Sequence, residues 1–177
     1  MLTETLLTLA LSCAPQVHPQ TVLHLVKHES GNNPYAIGIN GPYRLSRQPQ
    51  NASEAVATAK YLLSAGHSID MGLAMINYKN LNRLGLTVES VFNPCNNLKG
   101  MQSVLMDAYL KASQQHGPGA RALAQALSEF NTGHPRRGIE NGYVQKVATV
   151  RVPGIDFKPF QKLGSDPQQQ KLGSDPN

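Results

Sequence analysis

Hydrophobic positions recur at helical spacing along most of the chain. Leu6, Leu9, Ala10 and Cys13 fall at i, i+3, i+4 and i+7, the spacing of one helix face. Val22, Leu25 and Val26 repeat the pattern after Pro19, and Gly31 followed by Asn32-Asn33-Pro34 stops that helix, predicted over 21–30. Asn51 and Glu54 have the spacing of a capping box and open a helix through Leu62-Leu63 that Gly66 closes. The apolar run from Met71 to Asn77 predicts a further stretch that turns helical through Leu81 and Leu84 and ends at Gly85. Asn93-Pro94 is an N-cap and N1 pair ahead of a longer stripe, Leu98, Met101, Leu105, Ala108 and Ala112, with Gly117-Pro118 as the stop. Ala120, Leu123, Ala124, Leu127 and Phe130 form the next stripe, and Tyr143, Val144, Val147 and Val150 the last.

Residues 35–50 lack this period. Ile37, Ile39, Tyr43 and Leu45 sit on alternate positions among Gly38, Gly41 and Pro42, which suggests an irregular loop or a small two-stranded hairpin. The expected fold is therefore mainly α, a bundle of seven or so short helices with one small β-hairpin or irregular insertion, in a single domain over 1–153. Beyond it, Gln161 to Pro167 recurs as Gln170 to Pro176, too short and polar a repeat for a solenoid unit. Residues 154–177 read as a disordered low-complexity tail or an appended segment.

Composition narrows the function classes. Of 177 residues, 40% are hydrophobic and 15% charged, which suits one folded domain. A net charge of +5 favours an acidic neighbour, while 6% aromatics and no Trp argue against a dedicated single-strand nucleic-acid binder. No apolar run reaches the roughly 18 residues of a membrane span. The apolar segment Leu6 to Leu11 resembles part of a leader, but Glu4 stands where a basic residue would be expected, and it reads as a helix.

Cys13 and Cys95 permit one disulfide in an oxidising compartment, or two small buried thiols in a reducing one, and neither belongs to a CxxC pair. His24 and His28 share a helix face without an HExxH arrangement or a third ligand, so they read as a surface or partly buried pair, and neither metal nor cofactor is expected. Arg136, Arg137, His134 and Lys146 form a basic cluster that reads as a solvated face.

Glu29 is the position with the most chemistry in it. It lies at i+7, i+4 and i+3 from Val22, Leu25 and Val26, so a helix places its carboxylate on the apolar face, near the negative end of the helix dipole. Both effects favour the protonated acid, the form that can donate to a leaving glycosidic oxygen. On spacing alone, the commoner arrangement is a carboxylate at the edge of the stripe, reaching solvent or a backbone N–H. Asp70, ahead of Gly72-Leu73, reads as a helix N-cap better than as a second catalytic carboxylate.

Five blocks in order then resemble the motifs of soluble lytic transglycosylases. They are His28-Glu29-Ser30-Gly31-Asn32-Asn33-Pro34, Gly72-Leu73-Ala74-Met75-Ile76-Asn77, Phe92-Asn93-Pro94-Cys95-Asn96-Asn97-Leu98, Phe130-Asn131-Thr132-Gly133 and Asn141-Gly142-Tyr143-Val144. In particular, the chain is similar to the peptidoglycan-cleaving component of type IV secretion and conjugation systems, over about 13–150. The resemblance implies a lysozyme-like fold of the goose type and an enzyme with a single catalytic acid, matching Glu29. That acid would cleave between N-acetylmuramic acid and N-acetylglucosamine in peptidoglycan glycan strands and leave 1,6-anhydromuramyl ends. It implies substrate contacts at Ser30, Met75, Ile76, Asn77, Phe130, Asn131 and Tyr143, and a disulfide between Cys13 and Cys95 in the periplasm. Tyr35, Tyr43 and Arg44, in the irregular segment, are candidates to line the cleft or ordinary surface residues. Two positions depart from the pattern: Met75 replaces the family's glutamine and Phe130 its tyrosine, each removing a hydrogen-bonding group. A weakly active or inactive glycan-binding scaffold of the same fold, and a hydrolytic lysozyme, are the alternative expectations.

Overall fold

The computed structural model describes residues 1–154, so the tail expected over 154–177 lies, but for its first residue, outside the described residues. Within them the element order is α1 (Thr3–Cys13), α2 (Pro19–Ser30), β1 (Ile37–Ile39), α3 (Ala52–Ser64), β2 (Ile69–Met71), β3 (Ile76–Asn77), a 3-10 turn (Tyr78–Asn80), α4 (Pro94–His116), α5 (Ala120–Thr132), α6 (Arg137–Glu140) and α7 (Tyr143–Thr149). The chain divides into two compact units, Met1–Val104 with 150–154, and Leu105–Thr149, the boundary falling inside α4.

In the first unit α1 packs on α2, and Leu6, Ala10 and Cys13 are the buried face of α1. Cys13 is joined to Cys95, in the first turn of α4, by a disulfide with a sequence separation of 82. Constraining an unfolded loop of that length stabilises the fold by roughly 4 kcal/mol in the chain-entropy account. Helix α2 starts with Pro19 at N1 and ends where Gly31 takes φ 64, its N–H bonded to Lys27 O at 3.2 Å. The N-cap of α3 is Asn51, whose Oδ1 accepts from Glu54 N at 2.9 Å; the reciprocal bond reaches one residue further back, from Gln50 N to Glu54 Oε2 at 2.9 Å.

Of the two alternatives for the 35–50 segment, the irregular one is found, with no hairpin of its own. It supplies β1, which pairs antiparallel with the distant β2 in the register Ile37 to Met71, Gly38 to Asp70 and Ile39 to Ile69. On the other edge of β1, the Gln48 side-chain amide takes the place of a strand, accepting from Ile37 N at 2.8 Å and donating to Ile37 O at 3.0 Å.

Nor does the segment after Met71 become a helix. Gly72 takes φ 78 and Met75 φ 49, and the chain reverses from β2 into β3, with Asp70 opposite Asn77 and Met71 opposite Ile76. The reason lies in α4. Asn97, fully buried, donates from Nδ2 to Met71 O and Val91 O, both at 2.9 Å, and accepts at Oδ1 from Ala74 N at 2.8 Å. A side chain from another element thus satisfies backbone groups that a helical ladder would otherwise have to pair. A Cβ on Gly72 would strike that amide, so glycine is required there for space as well as for its positive φ.

In the second unit α5 packs on α6 and α7, and α6 on α7. The stripe expected on α5 is only partly the buried one: Ala124 and Leu127 are buried, Leu123 and Phe130 half-buried, and Ala120 exposed. Ala122, Ala126 and Ser128 face inward instead. The short helix α6, which the hydrophobic pattern does not announce, accounts for the rotation. Ser128 Oγ accepts from Gly138 N at 2.8 Å and donates to His134 O at 2.7 Å, and a Cβ on Gly138 would lie 2.7 Å from Ser128 Cα.

Asn97→Ala removes three buried hydrogen bonds and strands their backbone partners. It is expected to cost on the order of 3 kcal/mol, measured by urea denaturation.

Candidate functional site

Glu29 sits half-buried in the last turn of α2, rather than sealed into the apolar face. The residue after it, Ser30, turns its hydroxyl back along the helix and donates to Val26 O at 3.2 Å. Gly31 and Asn32 then both take left-handed conformations, φ 64 and 70, which reverse the chain out of the helix. Asn33 Oδ1 accepts from Tyr35 N at 2.9 Å in an Asx turn, and half-buried Tyr35 leads into β1. Ala36 O accepts from Gly72 N at 2.9 Å. That bond joins the turn after Glu29 directly to the turn between β2 and β3, so the first two sequence blocks form one substructure.

The sheet has a buried face and an open one. Ile37, Ile39, Ile69, Met71 and Ile76 are buried on one side, while Gly38, Asp70 and Asn77, half-buried, line up across the three strands on the other. Asp70 is therefore not a helix N-cap: it is the central residue of β2. Its Oδ1 accepts from Asn77 Nδ2 at 2.6 Å and its Oδ2 from Asn40 Nδ2 at 3.0 Å. Asn40 Nδ2 also donates to Ser68 Oγ at 3.2 Å, and Asn77 Oδ1 accepts from Lys79 N at 3.1 Å. The Met75 side chain covers the same strip, its Cε standing where a Cβ on Gly38 would have to go. The alternation Ile69-Asp70-Met71 was the sequence signal for this face, and the glycine after it concealed the strand.

Other candidates take different places. Ile76 is 2% exposed on the core side, so it supports the sheet and does not face a glycan. Arg44 is occupied within its own loop, donating to Tyr43 O at 2.6 Å and Gly41 O at 2.7 Å, which makes it a loop brace. Tyr43 is exposed and meets the His67 ring edge-on, with centroids 5.2 Å apart. In the second unit, Phe130 is half-buried and Asn131 exposed near the end of α5, while Tyr143 is buried at the start of α7, where its N–H donates to Asn141 Oδ1 at 2.9 Å.

His24 is buried in α2 and His28 half-buried. No group of three or more His, Cys, Asp or Glu among the described residues is placed to hold a metal, and no helix among them is long and apolar enough to cross a membrane. A cavity of about 240 Å³ between the 84–86 loop and α4 contains none of the candidate residues.

Burial pushes the Asp70 carboxyl up from its ordinary 3.8, and the hydrogen bonds from Asn77 and Asn40 offset this only in part. A carboxyl raised in the folded state contributes stability that is whole below the unfolded value and is lost as pH rises through the folded one. The stability of the wild type relative to Asp70→Asn is therefore expected to fall from pH 3 to pH 7, as read from urea denaturation at each pH.

Comparison with known proteins places this chain in a family. The transglycosylase SLT domain matches residues 7–149. The type IV secretion system protein virB1 of Brucella abortus biovar 1 (strain 9-941) is 42% identical over 160 residues, covering 87% of this chain and 66% of that protein. Protein virB1 of Agrobacterium fabrum (strain C58) is 33% identical over 163 residues, 89% of this chain and 66% of that protein. Protein virB1 of Rhizobium radiobacter is 35% identical over 141 residues, 80% and 58% respectively. The chain thus spans just under two thirds of the length of the curated relatives it matches. No solved structure gives a significant match. With the SLT model matching from α1 to the end of α7, the chain belongs to the transglycosylase SLT domain family.

Proposed function

We propose that the protein is a periplasmic lytic transglycosylase that opens peptidoglycan locally for a type IV secretion or conjugation apparatus, with Glu29 as its acid and base. In this reading the Glu29 carboxyl protonates the oxygen between N-acetylmuramic acid and N-acetylglucosamine as the bond to C1 breaks. The carboxylate so formed then takes the proton of the muramyl six-position hydroxyl, whose oxygen bonds to C1. The product is a 1,6-anhydromuramyl end, and no water is consumed.

The observation that carries the proposal is the bond between Gly72 N and Ala36 O, which makes the end of the Glu29 helix and the open polar face of the sheet one substructure. The disulfide between Cys13 and Cys95 supports an oxidising compartment. The relatives' printed names support the secretion context. Ser30, Tyr35, Phe130, Asn131 and Tyr143 are each proposed as glycan contacts.

One observation favours a second reading. Asp70 presents a carboxyl on the open face of the sheet, as a hydrolase using two carboxylates would require. Product mass separates the two, because hydrolysis leaves reducing ends. The wild type is expected to release anhydro-ended muropeptides from purified sacculi, and Glu29→Gln to release them at least about 100-fold more slowly. Reducing ends would establish hydrolysis instead, and release unaffected by Glu29→Gln would remove Glu29 from the chemistry.

Met75 stands at the family's glutamine position with its side chain along the sheet. Met75→Gln restores a donor and an acceptor there, and is expected to raise turnover of sacculi severalfold in the same assay.

A further inference from the structure

The open face of the sheet carries an arrangement that the proposed acid chemistry does not use. One carboxylate, Asp70, takes a hydrogen bond from each of two side-chain amides, Asn77 at 2.6 Å and Asn40 at 3.0 Å. An amide is ambiguous until its neighbours fix which end is oxygen. Here both are fixed. Asn77 has its nitrogen toward Asp70 and its oxygen on Lys79 N, which leaves one N–H of Asn77 to donate outward. Asn40, an exposed residue, spends its nitrogen on Asp70 and Ser68 Oγ, which leaves its Oδ1 to accept. A donor and an acceptor therefore flank one half-buried carboxylate. Asn40 N is bonded to Ser68 O at 2.8 Å, next along the chain from half-buried His67, whose ring meets that of exposed Tyr43.

We infer that Asp70 is a positioning residue that sets Asn77 as donor and Asn40 as acceptor for an acetamido group of the glycan. An acetamido group offers an N–H and a C=O on opposite sides, the complement of this pair. The inference rests on the glycan reading above and names the part of the sugar that the sheet recognises. Asp70 acts through the two amides and touches no reacting atom. An amide at position 70 has one oxygen for two donors, so in Asp70→Asn either Asn77 or Asn40 must turn over, and the donor and acceptor pattern is lost.

The test uses the full chain carrying Glu29→Gln, titrated calorimetrically with chitohexaose and with its fully deacetylated counterpart. A site built to hydrogen-bond a group rejects the analogue lacking it, so the acetylated oligomer is expected to bind at least about tenfold tighter. Adding Asp70→Asn brings that ratio toward one. Loss of charge alone would move it the other way, because removing a carboxylate weakens binding of the cationic deacetylated oligomer. In the chain with Glu29 intact, Asp70→Asn raises KM for peptide-free glycan strands severalfold and changes kcat by less than about twofold, as expected when uniform binding is lost. Asn40→Ala, on an exposed loop, collapses the ratio in the same way and decides the matter if Asp70→Asn does not fold.

A ratio that survives both substitutions, or equal binding of the two oligomers before any change at 70, overturns the inference and leaves the glycan reading standing. A fall in kcat at constant KM makes Asp70 a catalytic carboxylate and overturns it as well. Failure of the Glu29→Gln chain to bind either oligomer overturns the glycan reading itself, and this inference with it.

Discussion

The first unit depends on one buried amide. Asn97 leaves α4 fully enclosed and reaches three separate pieces of backbone: the end of β2, the turn after it and the loop before α4. Each of those backbone groups is in a segment too short to pair within itself, and an unpaired polar group away from water is costly. Met71, Gly72, Leu73 and Ala74 are all buried, so no solvent is available to take the amide's place. The sheet, the turn of Gly72 and, through Ala36, the turn after Glu29 follow from that placement. The disulfide between Cys13 and Cys95, two residues before Asn97, holds the same end of α4 against α1.

The helices were legible because their signals are local. The stripe of Leu98, Met101, Leu105, Ala108 and Ala112 on α4 is buried throughout, and Gly31 stops α2 where the spacing placed its end. The sheet was not, because each of its strands is two or three residues long, and what decides their conformation comes from far along the chain. Met71 to Asn77 has the apolar density of a helix. Only the amide of Asn97, 26 residues beyond Met71, makes it a strand and turn. Helix α6 failed for a related reason: four residues are too few for a period, and a glycine, Gly138, is its buried contact. In the candidate site, the place of Glu29 in the last turn of α2 and the turn that follows it could be read from spacing and motif. Asp70 was misplaced along with its strand, and Ile76 carried a motif position whose side chain turned out to face the core.

Two non-glycine residues take positive φ among the described residues, Asn32 and Met75, and they flank the two halves of the site. One follows Glu29 by three residues; the other immediately precedes Ile76-Asn77. Asparagine tolerates that conformation well and methionine less so. Backbone strain of this kind persists where the surroundings over-determine it. At Met75 the surroundings are Gly38, whose missing Cβ makes room for the methyl group, and the bond from Met75 N to Gly72 O at 3.2 Å. The local rules of sequence are thus broken at the positions where the reversal of the chain sets the open face of the sheet.

The Gln48 side chain has a consequence beyond holding its own loop. A free sheet edge offers unpaired N–H and C=O groups on which any extended chain can dock. In β1, the N–H and C=O of Ile37 are already taken by the Gln48 amide. The sheet therefore ends at three strands on that side, and a protein whose proposed work brings it among many other chains carries its own plug against being stitched to them.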